Sequence, residues 1–217
     1  MKYENARDVL PEDLLKEVQR FVSGRILYIP SGGGIEETTS YKKDLLKRNQ
    51  MIKNLYRHGT SIGELADQYY LSLDSIKKIV YGKKGRDLPY HASLESAGLY
   101  MAEGLLEEWG RSFLMFNCQV CGQDLTDFES STLFGVVKLP LRLVQDQDEA
   151  RPIKDKSDAP LIVDYKDGKF YVPYQGGKLQ ALKGDRINSY QAIVNLKKKD
   201  DYATFMKHYG RHLKYIE

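Results

Sequence analysis

The sequence predicts a mainly α amino-terminal half carrying a single strand, followed by an α+β carboxy-terminal half. Two observations carry that division. Up to residue 80 the apolar residues recur at helical spacing, whereas from residue 134 they fall into short β-branched and aromatic runs separated by turn signals. Charge divides as well: residues 41–86 hold eleven Lys/Arg against four Asp/Glu, while residues 1–40 and 87–217 each carry a net charge of −2. A basic excess confined to one segment is the footprint of a phosphate-contacting surface.

The chain has 217 residues, 41% of them apolar and 29% charged, which is material for two domains with cores of their own. No apolar run approaches the roughly 20 residues that cross a bilayer. The first residues form no signal-peptide core. The expectation is therefore a cytoplasmic protein with no membrane partner. Its expected domains are residues 1–86, a helical connector over 87–132, and an α+β domain over 133–217.

Residues 8–22 read as a helix: Pro11 suits a first turn, Glu12 and Asp13 suit its positive end, and Leu10, Leu14, Leu15, Val18, Phe21 and Val22 form one apolar stripe. Residues 25–30 read as an isolated strand, and the glycine-rich, polar stretch 31–40 as a loop. A lone strand needs a partner, so pairing with a second copy of the chain is one reading and an edge strand within one subunit the other. Residues 41–58 form the next expected helix, with Leu45, Leu46, Ile52, Leu55 and Tyr56 at helical spacing and Gly59 as its stop. Ser61 caps a helix burying Ile62, Leu65, Ala66 and Tyr69. After a Tyr70-Leu71 turn, Ser72 or Leu73 opens a third helix burying Ile76, Ile79 and Val80. Gly82 to Arg86 and Pro89 read as a linker, and residues 93–115 as one long helix.

Residues 64–80 have the spacing of a helix-turn-helix: a small Ala66 where two helices touch, Leu71 in the turn, Ser72 as cap and Ile76 packing back. Tyr70 stands where glycine is frequent. The recognition helix would present Ser72, Asp74, Ser75, Lys77, Lys78 and Tyr81 to base edges and phosphates. Lys42, Lys43, Arg48, Arg57, Lys83, Lys84 and Arg86 would flank it as phosphate contacts that position without reading sequence.

On these residues the first 86 or so resemble the Mor family, the middle-operon transcription activators of phage Mu and their short bacterial relatives. The likeness lies in Leu10-Pro11-Glu12, in the strand ending Tyr28-Ile29-Pro30, in Arg48-Asn49, and in residues 61–80. It implies a symmetric homodimer in which the opening helices and strands intertwine, binding double-stranded DNA at two half-sites.

In the second half, strands are expected over 134–139, 141–144, 161–165, 170–174 and 192–196, with Asp167-Gly168 as a hairpin turn. A charged loop fills 146–159, and helices fill 176–183 and 202–215. The order of Leu139-Pro140-Leu141, Ala159-Pro160-Leu161, Asp167-Gly168 and Gly176-Gly177-Lys178 over residues 133–196 resembles a ParB/sulfiredoxin-like domain. That resemblance makes Gly176, Gly177 and Lys178 a candidate phosphate site and a nucleotide the candidate cofactor. This chain has Lys178 where the family carries His-Arg or Arg-Arg, and it lacks the cysteine that sulfiredoxin chemistry needs. Cys118 and Cys121 have the spacing with which two thiolates grip zinc, but a closed site needs four ligands. Completion by His91 or by a second copy, a redox dithiol, and two reduced cysteines all stay open.

The functional expectation is a dimeric transcriptional regulator, of phage or mobile-element origin, with no catalytic residue assigned. The alternative is a nucleotide-binding enzyme, or a partition-type adaptor, tethered to DNA by the first half.

Overall fold

A computed structural model describes residues 10–21, 35–82, 88–120, 131–146 and 157–209, with Ala6, Leu125 and Phe128 besides; over 35–39 it describes the backbone alone. The structure is an α+β mix: among the described residues there are eight helices and one mixed sheet of five strands. The chain divides into two units, Met1–Lys42 and Lys43–Glu217.

In the first unit, α1 (Glu12–Phe21) follows Pro11, whose carbonyl accepts from Leu15 N at 2.9 Å. Glu12 and Asp13 lie at its positive end, as expected. Phe21 is 85% exposed. The expected strand over 25–30 lies outside the described residues.

Helix α2 (Ile35–Arg57) begins six residues before the expected start at Tyr41. The polar stretch read as loop contains Glu36 and Glu37, both strong helix formers, and the helix extends through it. In the second unit, Met51, Ile52 and Leu55 of this helix form a core with Leu65 and Ala66 of α3 (Ile62–Tyr69) and Ile76 of α4 (Leu73–Tyr81). Met115 and Phe116 pack against the same core.

The long helix expected over 93–115 is two helices, α5 (Leu94–Ala102) and α6 (Leu106–Phe116). Gly104 takes a left-handed φ of +69°, open to it without strain, and the break is closed by Leu105 N donating to Tyr100 O at 2.8 Å. A buried polar ladder joins α2 to this pair. Gln50 Nε2 donates to the Leu88 carbonyl at 2.8 Å, and Tyr100 OH donates to Asn54 Oδ1 at 2.9 Å. Asn54 Nδ2 donates to Ser112 Oγ at 2.9 Å, and Ser112 Oγ to the Glu108 carbonyl at 2.7 Å. Desolvation pushes the Tyr100 phenol up to about 12, against the opposing hydrogen bonds of Asn54 and Gln50, so it stays a neutral donor.

The sheet order is β1 (Thr132–Pro140), β5 (Ser189–Leu196), β3 (Leu161–Lys166), β4 (Lys169–Val172), β2 (Val144–Asp146). β3 and β4 form the expected hairpin at Asp167-Gly168, while β3 with β5 and β2 with β4 run parallel. Residues 141–143, expected to be strand, form a single 3₁₀ turn after Pro140. Alternation sorts the strands between two cores. Ile162, Ile193 and Val136 face Trp109, Phe113 and Tyr100 of the helices. Leu161, Val163, Val194 and Leu196 face Leu179 of α7 (Gly176–Gly184) and Phe205 of α8 (Lys199–His208). A bulge between Phe134 and Val136 shifts the parity of β1, so that Phe134 and Val137 both meet the Phe205 core. Among the described residues no helix is long and apolar enough to cross a membrane.

Candidate nucleic-acid interface

Helices α3 and α4 are short, and each is fixed by its own cap. Ser61 Oγ accepts from Glu64 N at 3.2 Å while Glu64 Oε2 accepts from Ser61 N at 2.8 Å, a reciprocal capping box. The Ser61 backbone hydrogen bond holds the Glu64 carboxyl below its ordinary range. Ser72 Oγ likewise accepts from Ser75 N at 3.2 Å at the start of α4. Between them Tyr70 adopts a left-handed conformation (φ 52°, ψ 43°), its N–H directed at the Ala66 and Asp67 carbonyls, and Leu71 N donates to Ala66 O at 3.0 Å. These bonds close α3 and set α4 across it, with Ala66 and Ile76 buried at the contact.

Asp74, Lys77 and Lys78 share the exposed surface of α4, and Lys77 Nζ lies 4.0 Å from Asp74 Oδ1 in an open i,i+3 pair. Ser72 is exposed as well, and Ser75 is half-buried with its hydroxyl 2.9 Å from that of Ser72. Tyr81 turns back toward α2: its hydroxyl is 2.7 Å from that of Tyr56, and the rings meet edge to face. The hydrogen bond with Tyr81 raises the Tyr56 phenol above its ordinary value.

Of the flanking cations, Lys42 and Lys43 are exposed on α2. Arg48 is half-buried, with one guanidinium nitrogen donating to Asn49 Oδ1 at 3.2 Å. Arg57 donates to the Leu88 carbonyl at 3.3 Å. Lys83, Lys84 and Arg86 lie outside the described residues. Sequence reasoning named Tyr70 only as a departure from glycine in the turn and Leu73 only as a helix opener; both are exposed, at 95% and 51%. The signal was present, since a tyrosine in a turn position that favours glycine has no packing reason to be there.

The glycine-lysine segment of the second half is built differently. Gly176 and Lys178 are buried, Gly177 is exposed, and the Lys178 ammonium donates to the carbonyls of Ser157 at 2.7 Å and Ala159 at 2.6 Å, with the Tyr190 ring 5.3 Å away. The preceding Gln175 is fully buried and bridges the same strand, accepting from Ile162 N at 2.7 Å and donating to Pro160 O at 3.3 Å. Lys178 and Gln175 thus hold the entry to β3 against the start of α7. Cys118 is buried beside the helical core, and Cys121 lies outside the described residues. Among the described residues no three His, Cys, Asp or Glu side chains gather as a metal set.

No family model matches the chain, and no solved structure matches it. The chain is 38% identical over 87 residues to the uncharacterized protein YraL of Bacillus subtilis (strain 168), a match covering 38% of this chain and 100% of that protein.

Proposed function

The chain belongs to the same family as the Bacillus subtilis protein YraL, and from that premise and the surface of α4 we propose that it is a dimeric transcriptional regulator that reads duplex DNA with a helix-turn-helix made of α3 and α4. The observation that carries the reading is the exposure of Lys77 and Lys78 on a helix whose opposite face is anchored by the fully buried Ile76. A helix held in this way can enter a major groove as a rigid body, with its amino-terminal residues at base edges. Asp74 has the chemistry to accept from a cytosine amino group, and the loose Asp74–Lys77 pair leaves the lysine able to reorient toward a phosphate. Lys43 supplies a further phosphate contact in this reading.

In this reading the module over residues 1–86 is a unit related to the Mor regulators, about as long as the 87-residue stretch that spans all of YraL. Dimerisation is part of the same proposal, with the exposed Leu14 and Phe21 of α1 as apolar surface for a second copy.

The test is fluorescence anisotropy of the full chain on labelled duplex. Binding at about 50 mM salt should weaken roughly tenfold in the Lys77→Ala/Lys78→Ala double variant, with the salt slope reduced by about 2. A full chain that binds no duplex at this salt, or binds it equally well without the two lysines, overturns the reading.

A further inference from the structure

Apart from the α4 surface, the sheet region carries a basic cleft. It lies where the β1–β5 ladder ends at Pro140 and Ser189, and its volume is about 820 Å³. Leu141 N donates to Asn188 O at 2.9 Å, which ties the 3₁₀ turn to the segment entering β5. Three cations from separate stretches line the cleft: Arg142 from that turn, Lys183 from the last turn of α7, and Arg186 from the loop that follows. Among the described residues no carboxylate lines the cleft; Asp185, next to Arg186, is outside it.

Two details mark the cleft as more than a solvated corner. Lys183 Nζ donates to the Val144 carbonyl at 2.7 Å, which fixes its position and leaves two of the ammonium's three protons for a ligand. Arg186 sits at φ +58°, a left-handed position that glycine or asparagine fills at less cost. The same residue closes α7, with Arg186 N donating to Lys183 O at 3.1 Å and Ile187 N to Leu182 O at 3.0 Å, so the turn that ends the helix also brings an arginine to the lining of the cleft.

We propose that this cleft binds a phosphate-bearing small molecule. Three cations with no carboxylate among the described lining residues call for an anion of charge two or more, which a phosphate ester or pyrophosphate supplies and a lone carboxylate does not. Guanidinium forks match phosphate oxygens in pairs. The volume lies within the roughly 300–1,000 Å³ of small-molecule sites, and Leu141 and Ile187 offer an apolar wall for the rest of the ligand. The site is separate from Gly176–Lys178, whose ammonium is engaged by backbone carbonyls. The inference stands whether or not the protein binds DNA.

Calorimetric titration of the full chain with inorganic phosphate, pyrophosphate and ATP tests it. Pyrophosphate or ATP should bind with a submillimolar constant, and Arg142→Gln and Arg186→Gly should each weaken binding about tenfold. Arg186→Gly removes the strain, so its melting temperature should equal or exceed that of the parent. That outcome separates a ligand contact from a turn residue needed for folding. ATP binding more tightly than pyrophosphate assigns the apolar wall to a base; equal binding assigns the site to phosphate alone. The Lys77→Ala/Lys78→Ala variant should bind pyrophosphate as the parent does, which keeps this test distinct from duplex binding. Absence of binding on the order of 10 mM for all three ligands, equal binding in the arginine variants, or binding of a short DNA strand but not of pyrophosphate overturns the proposal.

Discussion

Lysines on two short helices behave differently in the helical and sheet regions. In α4, Lys77 and Lys78 stand exposed above a helix closed by its own cap, and the neighbouring backbone makes no demand on them. In α7, Lys178 is buried, because the segment entering β3 turns the Ser157 and Ala159 carbonyls inward and the ammonium satisfies both. A buried cation is tolerated only with such partners. What a lysine can do for a ligand is thus set by whether the surrounding backbone hydrogen bonds are already complete. Serine caps complete them in α3 and α4, whereas α7 begins at Gln175 with no side-chain cap.

The largest expected effect tests whether the lysine-bearing face depends on its buried side. Ile76→Ala removes a fully buried side chain from the core shared by α2, α3 and α4. It should cost about 2–5 kcal/mol in urea unfolding, whereas Lys77→Ala should change stability by less than about 0.5 kcal/mol. If the two variants cost the same, α4 is not anchored through Ile76 and the contrast with Lys178 loses its basis.

A second prediction concerns a buried acid of the helical region. Glu108 on α6 is 5% exposed, its Oε2 has no hydrogen-bond partner, and desolvation pushes its carboxyl up from 4.5 to about 7 despite the nearby charge of Lys47. Burial lowers Lys47, but its bond to Glu107 and the surrounding carboxylates outweigh that and leave it above its ordinary value. Between those two pH values the folded chain keeps a proton that the unfolded chain has released. The stability from this group is therefore fully present below pH 4.5 and is lost as pH rises through 7. Relative to the parent, Glu108→Gln should gain up to about 3 kcal/mol at pH 8 over its value at pH 4, measured by chemical unfolding at both. An equal difference at the two pH values would mean that the carboxyl is hydrated.

Several of these features were legible in the sequence because they are local. The Ser61-to-Glu64 and Ser72 caps, the apolar spacing of α3 and α4, and the Asp167-Gly168 hairpin are each written within a few residues. The break at Gly104 was missed because the apolar residues on either side keep helical spacing across it. The Gln50–Asn54 pair reads as a solvent face at i,i+4, and only the arrival of Leu88, Tyr100 and Ser112 from distant segments makes it interior. The parallel pairings of β3 with β5 and β2 with β4 and the burial of Lys178 share that character, since their partners lie roughly 20 or more residues away. The Gly135 bulge was equally silent, because nothing in residues 134–137 states which face each strand residue must meet.

The smallest expected effect sharpens the contrast at the turn between α3 and α4. Tyr70 pays a left-handed backbone penalty of about 1 kcal/mol, yet its ring is 95% exposed and packs against almost nothing. Tyr70→Gly keeps the N–H that closes α3 and removes the strain, offset in part by the larger unfolded-state entropy of glycine. The net result should be neutral to about 1 kcal/mol stabilising, read as a small rise in melting temperature. If the tyrosine is retained for a nucleic-acid surface shared with Leu73 and Lys77, the same variant should lose duplex affinity as it gains stability. A variant that loses stability instead would show that the ring has a partner in the folded protein, and the turn would then be a packing element like Gln175 on the sheet side.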